Sequence, residues 1–288
     1  MRTALRLLLC WFAFIAALFL GGAVGTGLHL HAQSMHGASV QSMLLAQLAA
    51  GLVLVIGLWP LAHSLAAPAM ARAASFVAFL LLAFGVNGMI EALKFTNFLD
   101  AGIGTAVVFY ICVAVLLGTT VGLCFGSSGQ PAGLPHRSWP AFNWRIVAAW
   151  LSWPVIYFFF GMCIAPIVTP YYRAGIAGLR IPPLHVVIAA RLLRSVLFLV
   201  ATLPFVAPWK GSRRNLWLAL GIAHAFTVGL YGIAGGPFLP MILRVTHSIE
   251  MTCDAFTYAG MLVLLFTAHA MAAASATPPL HNAHPHPL

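Results

Sequence analysis

The chain has 288 residues, of which 62% are hydrophobic and only 6% charged. A soluble domain carries about 25% charged residues, so this composition cannot cover a water-facing surface. The net charge of +10 comes from 14 Lys and Arg set against four acids. The basic residues are scattered over loops, as in membrane proteins generally, which argues against nucleic-acid binding and for the lipid bilayer as the partner.

Apolar runs of about 20 residues, the length that crosses a bilayer, recur along the chain. They predict an all-α, polytopic transmembrane helix bundle with spans near 7–25, 42–62, 74–93, 103–124, 146–168, 185–206, 215–234 and 252–272. Residues 1–276 form one transmembrane domain. The tail 277–288, rich in Pro and His, reads as flexible, with His281, His284 and His286 as loose metal ligands at most. Turn residues punctuate the breaks: Pro60 and Pro68, Pro182–Pro183, and Gly235–Gly236–Pro237.

The first span follows a basic start with Arg2 and Arg6. Its apolar run, Leu7 to Val24, exceeds the roughly 7–15 residues of a signal-peptide core and lacks an A-x-A site, so a retained helix is expected. Gly21 and Gly25 form a small-xxx-small pair suited to close helix packing. With the N-terminus inside, eight basic residues fall on cytoplasmic segments and four (Lys94, Arg173, Arg180 and Arg244) on outer loops. That bias predicts an inner-membrane protein with both termini cytoplasmic.

On this topology all four acids, Glu91, Asp100, Glu250 and Asp254, lie toward the outer face. Arg191 and Arg194, one turn apart in the sixth span, are the expected partners of Glu91, Glu250 or Asp254. An intramembrane charge is costly unless paired, and by default marks a functional site. Glu91, Arg191, Arg194 and Asp254 are therefore read as an intramembrane charge network. Arg244, His247, Glu250, Asp254 and Tyr258 recur at helical spacing, as do Asn87, Glu91 and Lys94. The two stripes are expected to face one another.

Twelve histidines are many for so apolar a chain. Imidazole ligates transition metals and haem iron, and carboxylates add harder ligands. His29, His31, His36, His247 and Glu250 form a candidate metal site, with Met35 and Met43 nearby offering soft sulfur for copper. His224, in mid-span, reads as a satisfied interior histidine. Trp144, Trp150, Trp153 and the run Tyr157 to Phe160 read as a lipid-facing or interfacial belt. The five cysteines form no CxxC pair and read as buried hydrophobes.

The stretch His29-Leu30-His31-Ala32, then Gly37, then an apolar helix ending at Trp59–Pro60, resembles the start of a helix in NnrS-type and single-domain haem-copper membrane proteins. In those families an H-x-H motif supplies haem or metal ligands. The resemblance implicates His29 and His31; the family glycine falls one position earlier, where this chain has His36. It implies haem or a transition metal (copper, zinc or iron) as cofactor.

Nucleotide-binding loops, HExxH and GxSxG are absent from the sequence. Three functions remain open: a metal- or haem-binding membrane protein, a small transporter or permease using the charge-paired site, and a non-catalytic assembly subunit. The last would have membrane-protein partners or form a homo-oligomer.

Overall fold

A computed structural model describes residues 2–31, 37–97, 99–100, 102–126, 139–206, 208–209 and 211–267. Among them, eight helices are long and apolar enough to cross a membrane: α1 (Arg2–Gly27), α2 (Val40–Ser64), α3 (Ala69–Phe95), α4 (Ile103–Cys124), α5 (Asn143–Arg173), α6 (Leu184–Val206), α7 (Arg213–Gly235) and α8 (Met241–Thr267). The protein is an all-α integral membrane protein. Helices are forced by the solvent, because lipid offers no partner for a backbone N–H or C=O and each segment must satisfy its own.

Small residues set how closely the helices approach. A Cβ on Gly21 would stand 3.1 Å from the Phe109 Cα, so α1 lies backbone-close on α4, as the Gly21/Gly25 spacing predicts. The tightest approach to a neighbouring main chain was not expected. On Gly122 of α4 a Cβ would fall 2.4 Å from both the N and the Cα of Ala73, and on Gly118 it would fall 2.7 Å from the Val77 N, so α3 and α4 meet main chain to main chain. Helices α1 and α5 are the most lipid-exposed of the eight. The core, with Leu54, Leu58, Phe76, Phe79, Phe198 and Phe205 fully buried, fills the space between α2, α3 and α6.

Two helices widen in mid-course. In α3 the segment Leu80–Val86 is π-helical, with the Asn87 N–H bonded five residues back to the Leu82 carbonyl. In α7 the segment Ala225–Leu230 is likewise π-helical, with the Tyr231 N–H reaching the Phe226 carbonyl. The two meet in the bundle, where the Phe84 and Tyr231 rings lie 4.7 Å apart. Such widenings are frequent at functional sites.

The loops tie together at each end. At one end Leu65 bridges to Trp209, joining the α2–α3 and α6–α7 turns. At the other, Thr96 bridges to Leu179, and Arg180 donates to the Leu93 carbonyl at 2.8 Å and to Asp100 at 3.4 Å.

The eighth helix corrects its predicted start. It begins at Met241 rather than near 252, so Glu250 and Asp254 lie inside the helix instead of opening it. At about 1.5 Å rise per residue, Asp254 sits roughly 20 Å from the helix start, at the middle of α8. The polar residues of the first turns are turned into the bundle, where neighbours replace water, so an apolar run underestimates the span.

Candidate functional site

The polar residues of α3 and α6 form one cluster. Asn87 and Glu91 sit one turn apart and face inward, while Lys94 at the helix end is exposed. Arg191 and Arg194 are one turn apart on α6 and essentially inaccessible, at 0% and 1%. Glu91 serves both. Arg191 Nη1 donates to Glu91 Oε2 at 2.9 Å and Nη2 reaches Oε1 at 3.4 Å, and Arg194 Nη1 approaches the same Oε2. Arg194 Nε donates to the Asn87 side-chain oxygen Oδ1.

Arg191 also donates to the Tyr157 hydroxyl, and its guanidinium stacks 3.4 Å from the Tyr157 ring centre and 4.7 Å from that of Phe95. Desolvation makes two charges without partners too costly here, so hydrogen bonds and ring faces surround both guanidiniums. Tyr157 therefore departs from the belt expected for its segment, as does Trp153. That indole is 2% exposed and packs 4.3 Å from Phe198 and 5.1 Å from Tyr258, whereas Trp144 and Phe159 do face outward.

The second cluster runs along α8. His247 Nδ1 and Glu250 Oε2 are 2.9 Å apart, and the Tyr172 hydroxyl of α5 lies 3.3 Å from His247 Nε2. Glu250 is buried against Gly161 of α5, where a Cβ would stand 3.4 Å from Oε1. Asp254 is wholly buried, and neither carboxyl oxygen has a hydrogen-bond partner. The expected pairing of the arginines thus resolves onto Glu91; neither Glu250 nor Asp254 forms an ion pair with an arginine among the described residues.

A cavity of about 270 Å³ lies between the clusters, with Thr96, Leu179 and Leu239 at its loop end. Gly88, Glu91 and Ala92 of α3 and Arg194 of α6 line one wall; Arg244, His247, Ser248 and Met251 of α8 line the other. Of the two polar stripes, only Glu91 on one side and Arg244 and His247 on the other line this space; Asn87, Lys94, Glu250, Asp254 and Tyr258 do not. Both π-helical segments contribute to the lining, Ala83 and Phe84 from α3 and Thr227 to Gly229 from α7. Tyr110, Tyr172 and Tyr231 complete it, and the Tyr231 hydroxyl donates to Gln47 Oε1 at 2.7 Å. The volume is near the lower end of ligand pockets, roughly 300–1,000 Å³.

Among the described residues, His29, His31 and His247 do not form a metal-ligand group. His29 has a φ of 54°, and the Leu30 N–H returns to the Gly25 carbonyl at 2.9 Å, which makes this turn the left-handed cap that ends α1. His31 offers its carbonyl to Thr105 Oγ1 at 2.7 Å. Both imidazoles are exposed, at the side of the bundle where α1 packs on α4, and His247 keeps to Glu250 and Tyr172. His36, Met35 and the tail histidines lie outside the described residues. Among the described residues no three of His, Cys, Asp or Glu gather into a metal-ligand group. His224 is an interior residue, 2.8 Å from the Thr202 hydroxyl.

Sequence patterning did not find Gln47, Tyr110, Tyr172 or Tyr231. Gln47, Tyr110 and Tyr231 each stand among apolar neighbours and Tyr172 lies at a helix end beside Tyr171 and Arg173, so only packing brings them together. No protein-family model, curated protein or solved structure matches the chain.

Proposed function

We propose that this protein is a small-solute permease, or the binding component of one, whose site is the cavity between α3, α6, α7 and α8. The observation that carries this reading is that the cavity reaches the Glu91–Arg194 ion pair. A purely structural ion pair is best sealed away from any space, since solvent weakens it. Here the carboxylate side chain stays 39% accessible while both guanidiniums are buried behind it.

The widened segments of α3 and α7 support movement around the site. Both line the cavity, and π-helical turns inside a continuous helix are frequent at functional sites. The 8-to-4 split of basic residues favours an inner-membrane protein with cytoplasmic termini, so the cavity opens to the outer face. For a metal or haem, the donors brought together among the described residues are His247 and Glu250.

The test is flux. Purified protein is reconstituted into liposomes, and entry of glycerol, glycine, choline, lactate and glutamate is followed by stopped-flow light scattering. At least one solute is expected to enter faster than into empty liposomes, and Met251→Trp, which fills the cavity from α8, should abolish the difference. Equal rates for every solute with and without protein would overturn the proposal.

A further inference from the structure

We infer that the cavity binds an organic anion, a small carboxylate with an apolar body, and that Arg244 is the residue that holds its charge. The inference rests on the cavity being a solute site and names the class of solute. Glu91 is the one carboxylate lining the cavity, and two guanidiniums already occupy its oxygens. The other two intramembrane acids, Glu250 and Asp254, do not line it. Arg194 and Arg244 do. A ligand therefore meets more positive charge than negative on the wall.

Arg244 differs from the other two arginines. It forms no ion pair among the described residues. One nitrogen, Nη2, donates to the Ile233 carbonyl near the end of α7, while Nε is buried without an acceptor. Capping a helix end engages one edge of a guanidinium and does not neutralise it. A buried donor left unsatisfied is costly, and a carboxylate takes a guanidinium at two nitrogens at once.

The surroundings match such a ligand. His247 lies one turn further along the same face of α8, with Tyr172 at 3.3 Å, so hydrogen-bonding side chains stand beside the cation. Toward the bundle interior the wall turns aromatic, with Phe84 lying edge-on to Tyr110 at 5.1 Å and to Tyr231 at 4.7 Å. An anionic head at Arg244 would leave an apolar body against these rings.

Three probes of one size separate the possibilities: benzoate, benzyl alcohol and benzylamine, titrated into the full-length protein in lipid nanodiscs. Benzoate is expected to bind about tenfold or more tightly than benzyl alcohol, as one charge-assisted pair implies. Arg244→Gln, which keeps an N–H for the Ile233 carbonyl, should erase that preference, and Arg244→Lys should retain most of it. Thermal unfolding without ligand shows whether each variant is folded, and a cap-only role would lower the melting temperature without changing the order of the probes. Benzylamine or benzyl alcohol binding as tightly as benzoate overturns the assignment of an anion, as does an unchanged benzoate preference in Arg244→Gln or no binding of any probe. The flux of the solute panel decides the permease reading separately, so each can fail alone.

Discussion

Two buried arginine sites at opposite ends of the bundle solve the same problem differently. At the α2–α3 turn, Arg72 is 7% exposed and no acid is near it; Nε donates to the Gly122 carbonyl at 3.0 Å and Nη1 to that of Ala67. These carbonyls lie at the end of α4 and in the turn before α3, where the backbone has no other partner to offer. At the other end, Arg191 and Arg194 share one carboxylate and sit beside a cavity. The first end is closed by helix-end dipoles with main chain against main chain. The second is held by side chains and leaves room. Among the described residues Arg72 is thus held by carbonyls alone, away from the cavity, whereas Arg191 and Arg194 share an accessible carboxylate beside it.

The largest test of this contrast is Glu91→Gln. It leaves two buried guanidiniums without a counter-charge, and about 3 kcal/mol of stability should be lost, the low end for breaking a buried pair because Glu91 is partly accessible. Thermal unfolding in detergent reads it, and Arg191→Gln in the same chain should restore part of the loss. An unaltered melting curve in the single variant would mean that the cluster does not hold the open end together.

Next comes the closed end. In Gly122→Ala the new Cβ meets the Ala73 main chain at 2.4 Å, which only a helix shift can relieve, so a loss of about 2 kcal/mol is expected. If instead the variant melts like the parent, α3 and α4 are not in backbone contact. Arg72→Gln keeps donors for part of the carbonyl set and should cost about 1–2 kcal/mol, with solute flux retained. Loss of flux in a stably folded Arg72→Gln protein would blur the distinction between fastening and site. The smallest effect belongs to Asp254→Asn. Its carboxyl has no hydrogen-bond partner to lose, and a change within about 1 kcal/mol is expected. A larger loss would reveal a partner for Asp254 in another conformation of the bundle.

Much of the fold is legible in the residues. The α4 limits, 103–124, coincide with the apolar run, because lipid surrounds much of that helix and hydropathy reports it directly. The α8 start is not legible for the opposite reason. Thr246, Ser248, Glu250 and Asp254 are buried among other helices, and a sequence window cannot tell a polar residue in a bundle from one in water. The charge network was half legible: the cost of an intramembrane charge singles out Glu91, Arg191 and Arg194, but not which acid takes both cations. Tyr157 was hidden inside an aromatic run whose members divide between lipid and core.

The sequence by itself determined that this is an eight-helix membrane protein, because transfer of charge and of unpaired backbone into hydrocarbon is forbidden locally, residue by residue. Only the tertiary structure decided that Glu91 holds both arginines, that His29 lies in the turn capping α1 and His31 against Thr105, away from His247, and that a cavity lies between Glu91 and the Arg244–His247 face of α8. Those outcomes depend on the depth and rotation at which separate helices pack, and close glycine contacts and buried side chains set these between segments far apart in the chain.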